Sequence, residues 1–125
     1  MKVSLSRVIL YVQDVPNLVR FYRDAFGLRV IEEISDEWAV LEAGHGQIAL
    51  HRAGEAFRGR KGSTLAANSN AKLVLTVCRE LPGLRLELLA KGVAMDEIKS
   101  FPGVTGPLCD GRDPEGNVFQ LAELL

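Results

Sequence analysis

The feature that most constrains this 125-residue chain is an internal repeat. Val8-Ile9-Leu10-Tyr11-Val12 returns as Leu73-Val74-Leu75-Thr76-Val77 at an offset of 65, and Gly27 returns as Gly92 at the same offset. Pro16 corresponds to Pro82 after a one-residue slip. Ile48-Ala49-Leu50 returns as Phe119-Gln120-Leu121 at an offset of 71, the longer spacing reflecting differences among the intervening strands and loops. Self-similarity on this scale means that one supersecondary unit is used twice.

The elements of that unit follow from local chemistry. Residues 6–12 are rich in Val, Ile and Leu and read as a strand. Asp14 then caps a helix, with Pro16 near the first turn, where a missing N–H does no harm. Leu18, Phe21, Tyr22, Ala25 and Phe26 recur at helical spacing as its buried stripe, and Gly27 supplies the stop. Strands over 28–34, 37–42 and 47–52 follow, separated by Ser35-Asp36 and Gly44-His45-Gly46. The second copy predicts a strand over 72–78, then a helix from near Pro82 through Leu84, Leu88 and Leu89 to Gly92. Its remaining strands are expected over 93–98, 106–111 and 117–123. Before the last of these, Asp113-Pro114-Glu115-Gly116-Asn117 is turn chemistry: Pro114 presets φ, and Gly116 takes positive φ at little cost.

Each copy thus has four strands and one helix, which covers only one face of its sheet. The expected architecture is α+β: two tandem βαβββ modules forming a curved mixed-sheet cup with helices on the outside. A single domain over 1–125 contains a first module over 1–53, a connecting loop over 54–70 and a second module over 71–125. Strand parity places Leu73, Leu75, Val77, Ile48, Leu50, Phe119 and Leu121 on the helix side. Arg7, Ile9, Tyr11, Ala49, His51, Lys72, Val74, Thr76, Val118 and Gln120 face the other way, a mixed apolar and polar set suited to a ligand cavity. Residues 53–70, rich in Gly, Ser and Asn and locally basic, read first as a solvated linker and second as a lid.

Bulk properties exclude several classes. A chain of this length buries roughly 65% or more of its unfolded surface as one domain. With 15 basic and 16 acidic residues the net charge is −1, so no global field favours nucleic acid or an anionic membrane. No uncharged apolar run reaches the ~18 residues of a membrane span, and the N-terminus lacks a leader's apolar core. Cys78 and Cys109 are isolated from each other, with no CxxC pair. A reduced, cytoplasmic protein without a disulfide is expected. No spacing fits a phosphate loop, a Ser-His-Asp triad or a nucleic-acid reader.

Three stretches carry a resemblance: Arg7-Val8-Ile9-Leu10-Tyr11-Val12-Gln13-Asp14, Phe21-Tyr22-Arg23-Asp24-Ala25-Phe26-Gly27-Leu28, and Asp113-Pro114-Glu115-Gly116-Asn117 with its strand. Together they resemble the vicinal oxygen chelate superfamily of glyoxalase I, extradiol dioxygenases, fosfomycin resistance enzymes and bleomycin resistance proteins. The resemblance implies four metal-ligand positions, which fall on Arg7, Ala49, Lys72 and Gln120. Arginine has no lone pair to donate, lysine is protonated unless deeply buried, and alanine offers nothing. A single neutral oxygen from Gln120 does not hold a transition ion. No metal and no cofactor is therefore expected.

The replacements suggest chemistry of their own. Arg7 and Lys72, with Gln120 as a neutral partner, would grip a carboxylate or phosphate; the competing reading pairs both cations with local acids such as Glu123. His51 shares the cavity parity and is read as a ligand contact or base, or else as a strand-end residue meeting solvent. His45, between glycines, is an exposed turn residue, and Tyr22 belongs to the core. Trp38 either stacks on a planar ligand or fills a dimer interface. The ligand-binding set is Arg7, Tyr11, Trp38, Ala49, His51, Lys72 and Gln120. The leading expectation is a metal-free small-molecule binding protein of the bleomycin-resistance type, sequestering an anionic or aromatic ligand in a homodimer. The alternative is a glyoxalase-like lyase, isomerase or dioxygenase with a displaced metal site or a metal-free acid/base such as His51. A third is an interaction module whose cup is filled by side chains.

Overall fold

The computed structural model describes residues 1–59 and 71–124. The chain separates into two compact units, with the boundary between residues 62 and 63. In the first unit, β1 (Arg7–Val12) precedes α1 (Val15–Phe26), followed by β2 (Arg29–Ile34), β3 (Trp38–Ala43) and β4 (Gly46–Arg52). In the second, β5 (Leu73–Val77) precedes α2 (Leu81–Ala90), then β6 (Ala94–Met95), β7 (Leu108–Arg112) and β8 (Val118–Glu123). The strand orders are β1-β4-β3-β2 and β5-β8-β7-β6. β1 runs parallel to β4 and β5 parallel to β8, whereas the other pairs are antiparallel. The repeat seen in residues is thus a repeat of topology, and the α+β expectation of two βαβββ modules holds.

The caps form as their residues require. Asp14 accepts a hydrogen bond from the Asn17 amide at 3.0 Å and starts α1. Gly27 ends it in the left-handed region at φ 68°. Gly92 ends α2 at φ 83°, with its amide bonded to the Leu89 carbonyl and the Val93 amide to Leu88, the paired bonds of a Schellman motif. The start of α2 is unlike that of α1: the Leu81 amide is capped from across the unit by Glu123 Oε1 at 2.7 Å.

Each helix covers one face of its sheet. In the first unit Val15, Leu18, Val19 and Tyr22 are buried, together with the helix-side strand residues Ala39, Leu41, Ile48 and Leu50. Burying a side chain such as Leu18 contributes about 1.5–3 kcal/mol. In the second unit the core holds Leu81, Leu84, Leu88, Cys109, Phe119 and Leu121. The two copies fill equivalent space differently. Where the first sheet pairs Leu41 with Ile48, the second pairs Gly111 with Phe119. A Cβ on Gly111 would lie 2.6 Å from Met95 Sδ and 2.7 Å from Phe119 Cε2, so the ring occupies the room the glycine leaves.

Three expectations need correction. The strand expected over 93–98 pairs only at Ala94–Met95. Pairing resumes at Lys99 with Leu108, one residue out of register with Met95 and Gly111, so residues 96–98 bulge. Arg85 of α2 causes the departure by donating from Nε to the Asp96 carbonyl at 2.8 Å. Glu123 pairs with neither Arg7 nor Lys72, because its side chain caps α2 on the helix side of the sheet. Residues 55–57, placed in the unstructured stretch, form a short 3₁₀ turn. It is pinned by Gln13, whose amide donates to the Phe57 carbonyl and accepts from the Gly59 amide, both at 2.8 Å. The rest of the linker-or-lid segment, 60–70, lies outside the described residues.

Candidate functional site

Register brings the sequence candidates together on the sheet face opposite each helix. In the first unit that face has three cross-strand rows: Arg7, Gln47, Glu42 and Arg29; Ile9, Ala49, Val40 and Glu32; Tyr11, His51, Trp38 and Ile34. Arg7 donates from Nε (2.9 Å) and Nη2 (2.8 Å) to Gln47 Oε1, and its guanidinium lies 5.5 Å from the Trp38 ring centroid. That contact crosses the middle row, under which Ala49 and Val40 are fully buried. Ala49 therefore supports the face rather than offering surface to a ligand.

The aromatic row is continuous. His51 sits 5.3 Å from the Tyr11 ring and 5.5 Å from Trp38, edge to face with the latter. The Trp38 Nε1–H donates to Glu32 Oε2 at 2.6 Å, which fixes the plane of the indole. Tyr11 is 68% exposed and Ile9 43%, so the face is open at the β1 side. Two of the guanidinium's donor nitrogens are engaged by Gln47, while the third faces no acceptor among the described residues. Such a face offers a row of flat aromatic edges and an imidazole, with a cation reaching toward it from the row of Gln47.

In the second unit Lys72 and Gln120 meet at the Asp110 carboxylate, a pairing the sequence did not reveal. Lys72 Nζ bonds Asp110 Oδ2 and Gln120 Nε2 bonds Asp110 Oδ1, both at 2.9 Å. Partial burial opposes ionisation of Asp110, but the two donors and the positive charge of Lys72 outweigh it and hold the carboxyl below its ordinary range. Lys72 is thus matched within the chain. Asp110 occupies the register position of Val40 in the first unit, so strand pairing of the repeat was the signal that would have found it. Gln47 was missed although it shares parity with Ala49 and His51.

The turn before β8 is held by Asp113, which is 4% exposed. Its Oδ1 accepts from the amides of Glu115 and Asn117 (2.9 Å each), and Oδ2 accepts from Asn117 Nδ2 at 2.8 Å. Gly116 takes φ 85°, as the turn chemistry requires. This knot sets where Gln120 emerges from its strand.

The donor set does not fit the divalent metal that the sequence resemblance implies. Arg7 is a cation engaged with Gln47, Ala49 is buried, and Lys72 is a charged partner of Asp110. Among the described residues no three His, Cys, Asp or Glu side chains converge to hold an ion. Both cysteines are free, and burial pushes the Cys109 thiol up, away from thiolate chemistry. No helix among the described residues is long and apolar enough to cross a membrane.

Comparison with known proteins agrees with this architecture. The fosfomycin resistance protein FosX of Listeria monocytogenes is 17% identical, with a TM-score of 0.75 over 100% of this chain and 96% of its own. TnmS3, an antibiotic binding protein from Streptomyces sp. CB03234, is 20% identical with a TM-score of 0.75, covering 100% and 99%. An integron cassette protein from the mobile metagenome of V. cholerae is 26% identical with a TM-score of 0.70, covering 100% and 98%. No curated protein matches the sequence. The family model of the Glyoxalase/Bleomycin resistance protein/Dioxygenase superfamily matches residues 4–121, and the chain belongs to that superfamily.

Proposed function

We propose that this chain binds a small organic molecule without a resident metal, sequestering an anionic or aromatic ligand against the face built by Arg7, Trp38, His51 and Tyr11. The observation that carries the reading is the Tyr11-His51-Trp38 row with the Arg7 guanidinium lying against it. Arg7 offers a guanidinium nitrogen toward an anion, and the indole and phenol edges offer stacking surface at low entropic cost. In the second unit Lys72 and Gln120 form a polar cluster of their own with Asp110. The antibiotic-binding and fosfomycin-resistance activities named for structurally similar proteins are consistent with such a role. The protein acts as a homodimer in the cytoplasm, where Cys78 and Cys109 stay reduced.

Native mass spectrometry of freshly purified protein, with metal analysis of the same sample, tests the reading. The expected result is a dimer carrying an organic mass and no stoichiometric divalent ion. Stoichiometric Ni, Zn, Fe or Mn retained by the protein would overturn the metal-free reading in favour of a lyase or dioxygenase. Trp38 is the single tryptophan, so ligand titration followed by its emission reports the site directly.

A further inference from the structure

The second unit contains a hollow of about 230 Å³ lined by Lys72, Asp96, Glu97, Lys99, Phe101, Leu108, Asp110 and Gln120. Its rim is shaped by a tight turn: the Val104 amide bonds the Phe101 carbonyl at 3.1 Å, with Pro102 and Gly103 (φ 80°) at the central positions. The turn stands on the bridge between Lys99 and Leu108, which exchange two backbone hydrogen bonds at 2.8 Å. Phe101 is held there 46% exposed.

Charge matching around the hollow leaves one side chain over. Asp110 is paired with Lys72, Asp96 with Arg112, and Glu97 with Arg85. Lys99 has no side-chain partner among the described residues. The unspent charge is therefore one ammonium, beside the apolar surface of Phe101 and Leu108.

We infer that this hollow is a subsite for a small monoanion carried on an aromatic or other apolar ring, with Lys99 taking the anion and Phe101 and Leu108 taking the ring. The inference rests on the reading of the chain as a small-molecule binder and adds the ligand class and two residues outside its first face. A volume of about 230 Å³ accommodates a single substituted ring rather than a fused polycycle.

The test is an amide-resolved NMR titration of the full chain at pH 7 with benzoate, using benzamide as the uncharged analogue of similar shape. Benzoate is expected to give saturable shifts at Lys99, Phe101, Leu108 and Gln120, with a dissociation constant on the order of millimolar for so small a probe. Lys99→Gln is expected to weaken benzoate roughly three- to fivefold, and Lys99→Arg to restore it. Equal binding of benzamide, an unchanged Lys99→Gln variant, or no saturable shift would each overturn the subsite. Saturable shifts confined to Arg7, Tyr11, Trp38 and His51 would also overturn it while supporting the proposed function. Loss of all response at that first face, with the hollow still titrating, would count against the proposed function and leave the subsite standing.

Discussion

Gly111→Ala is the sharpest test of how the second unit is packed. The added methyl would stand 2.6 Å from Met95 Sδ and 2.7 Å from Phe119 Cε2, against the ~3.5–4.0 Å at which such atoms rest. The ring must retreat by about 1 Å, and Phe119 is fully buried with no exposed side to retreat toward. Overpacking of this kind costs about 1–3 kcal/mol, offset by roughly 0.5–1 kcal/mol from replacing a strand glycine. The net expectation is a loss of ~1–2 kcal/mol, seen in urea denaturation as a lower midpoint and in calorimetry as a Tm lower by roughly 4–8 °C. Phe119→Ile alone should cost ~1–3 kcal/mol by opening a cavity. The double variant, which approaches the Leu41–Ile48 arrangement of the first unit, should recover at least ~1 kcal/mol of the summed losses. A neutral or stabilised Gly111→Ala protein, or strictly additive losses in the double variant, would refute this account of the packing.

Asp110 is held ionised below the ordinary carboxylate range, so its contribution to stability is present above its unfolded value of about 3.9 and is lost as pH falls through the lower folded value. Asp110→Asn should therefore narrow the stability gap to wild type as the pH drops below about 4, with a gap of no more than ~1 kcal/mol at neutral pH because Lys72 is partly solvated. Asp113→Ala removes the acceptor for two backbone amides in a buried turn and should cost ~2–3 kcal/mol by chemical denaturation, whereas Asp113→Asn should lose less. Arg7→Ala should uncover Ala49 and red-shift Trp38 emission while changing stability by less than ~1 kcal/mol. An unshifted emission maximum would mean that the guanidinium does not shield the indole in solution.

Much of the fold was legible because it was written twice. Asp14, Pro16, Gly27 and Gly92 mark the helix ends by chemistry that acts within a few residues, and period-2 alternation in 47–52 and 117–123 sets which face each strand buries. What escaped were features fixed by partners distant in sequence. The strand after α2 is cut short by Arg85, which takes a carbonyl that local propensity assigns to the ladder. Glu123 looked available to a cation until α2 claimed it. In the candidate site, Arg7, Tyr11 and His51 were recognisable from parity and Trp38 as an aromatic at a strand start, and the structure brings them onto one sheet face, with Tyr11, His51 and Trp38 in a single row. Gln47 and the partners of Asp110 were not recognised, since their importance lies in whom they face across the sheet. Ala49, in turn, is fully buried although it lies on the face away from the helix, which strand parity alone does not reveal.

The manner in which α2 begins bears on the order in which the protein can assemble during synthesis. By the time Arg52 has been made, every strand of the first sheet and its helix exist, and its cap is supplied from within four residues. The second half has no such head start. β8 lies between β5 and β7, and the carboxylate that secures Leu81 arrives 42 residues later on that same strand. A nascent chain therefore carries a finished half and an unclosed one until residue 123 is in place, and the apolar face of α2 is the surface left without shelter in the interval.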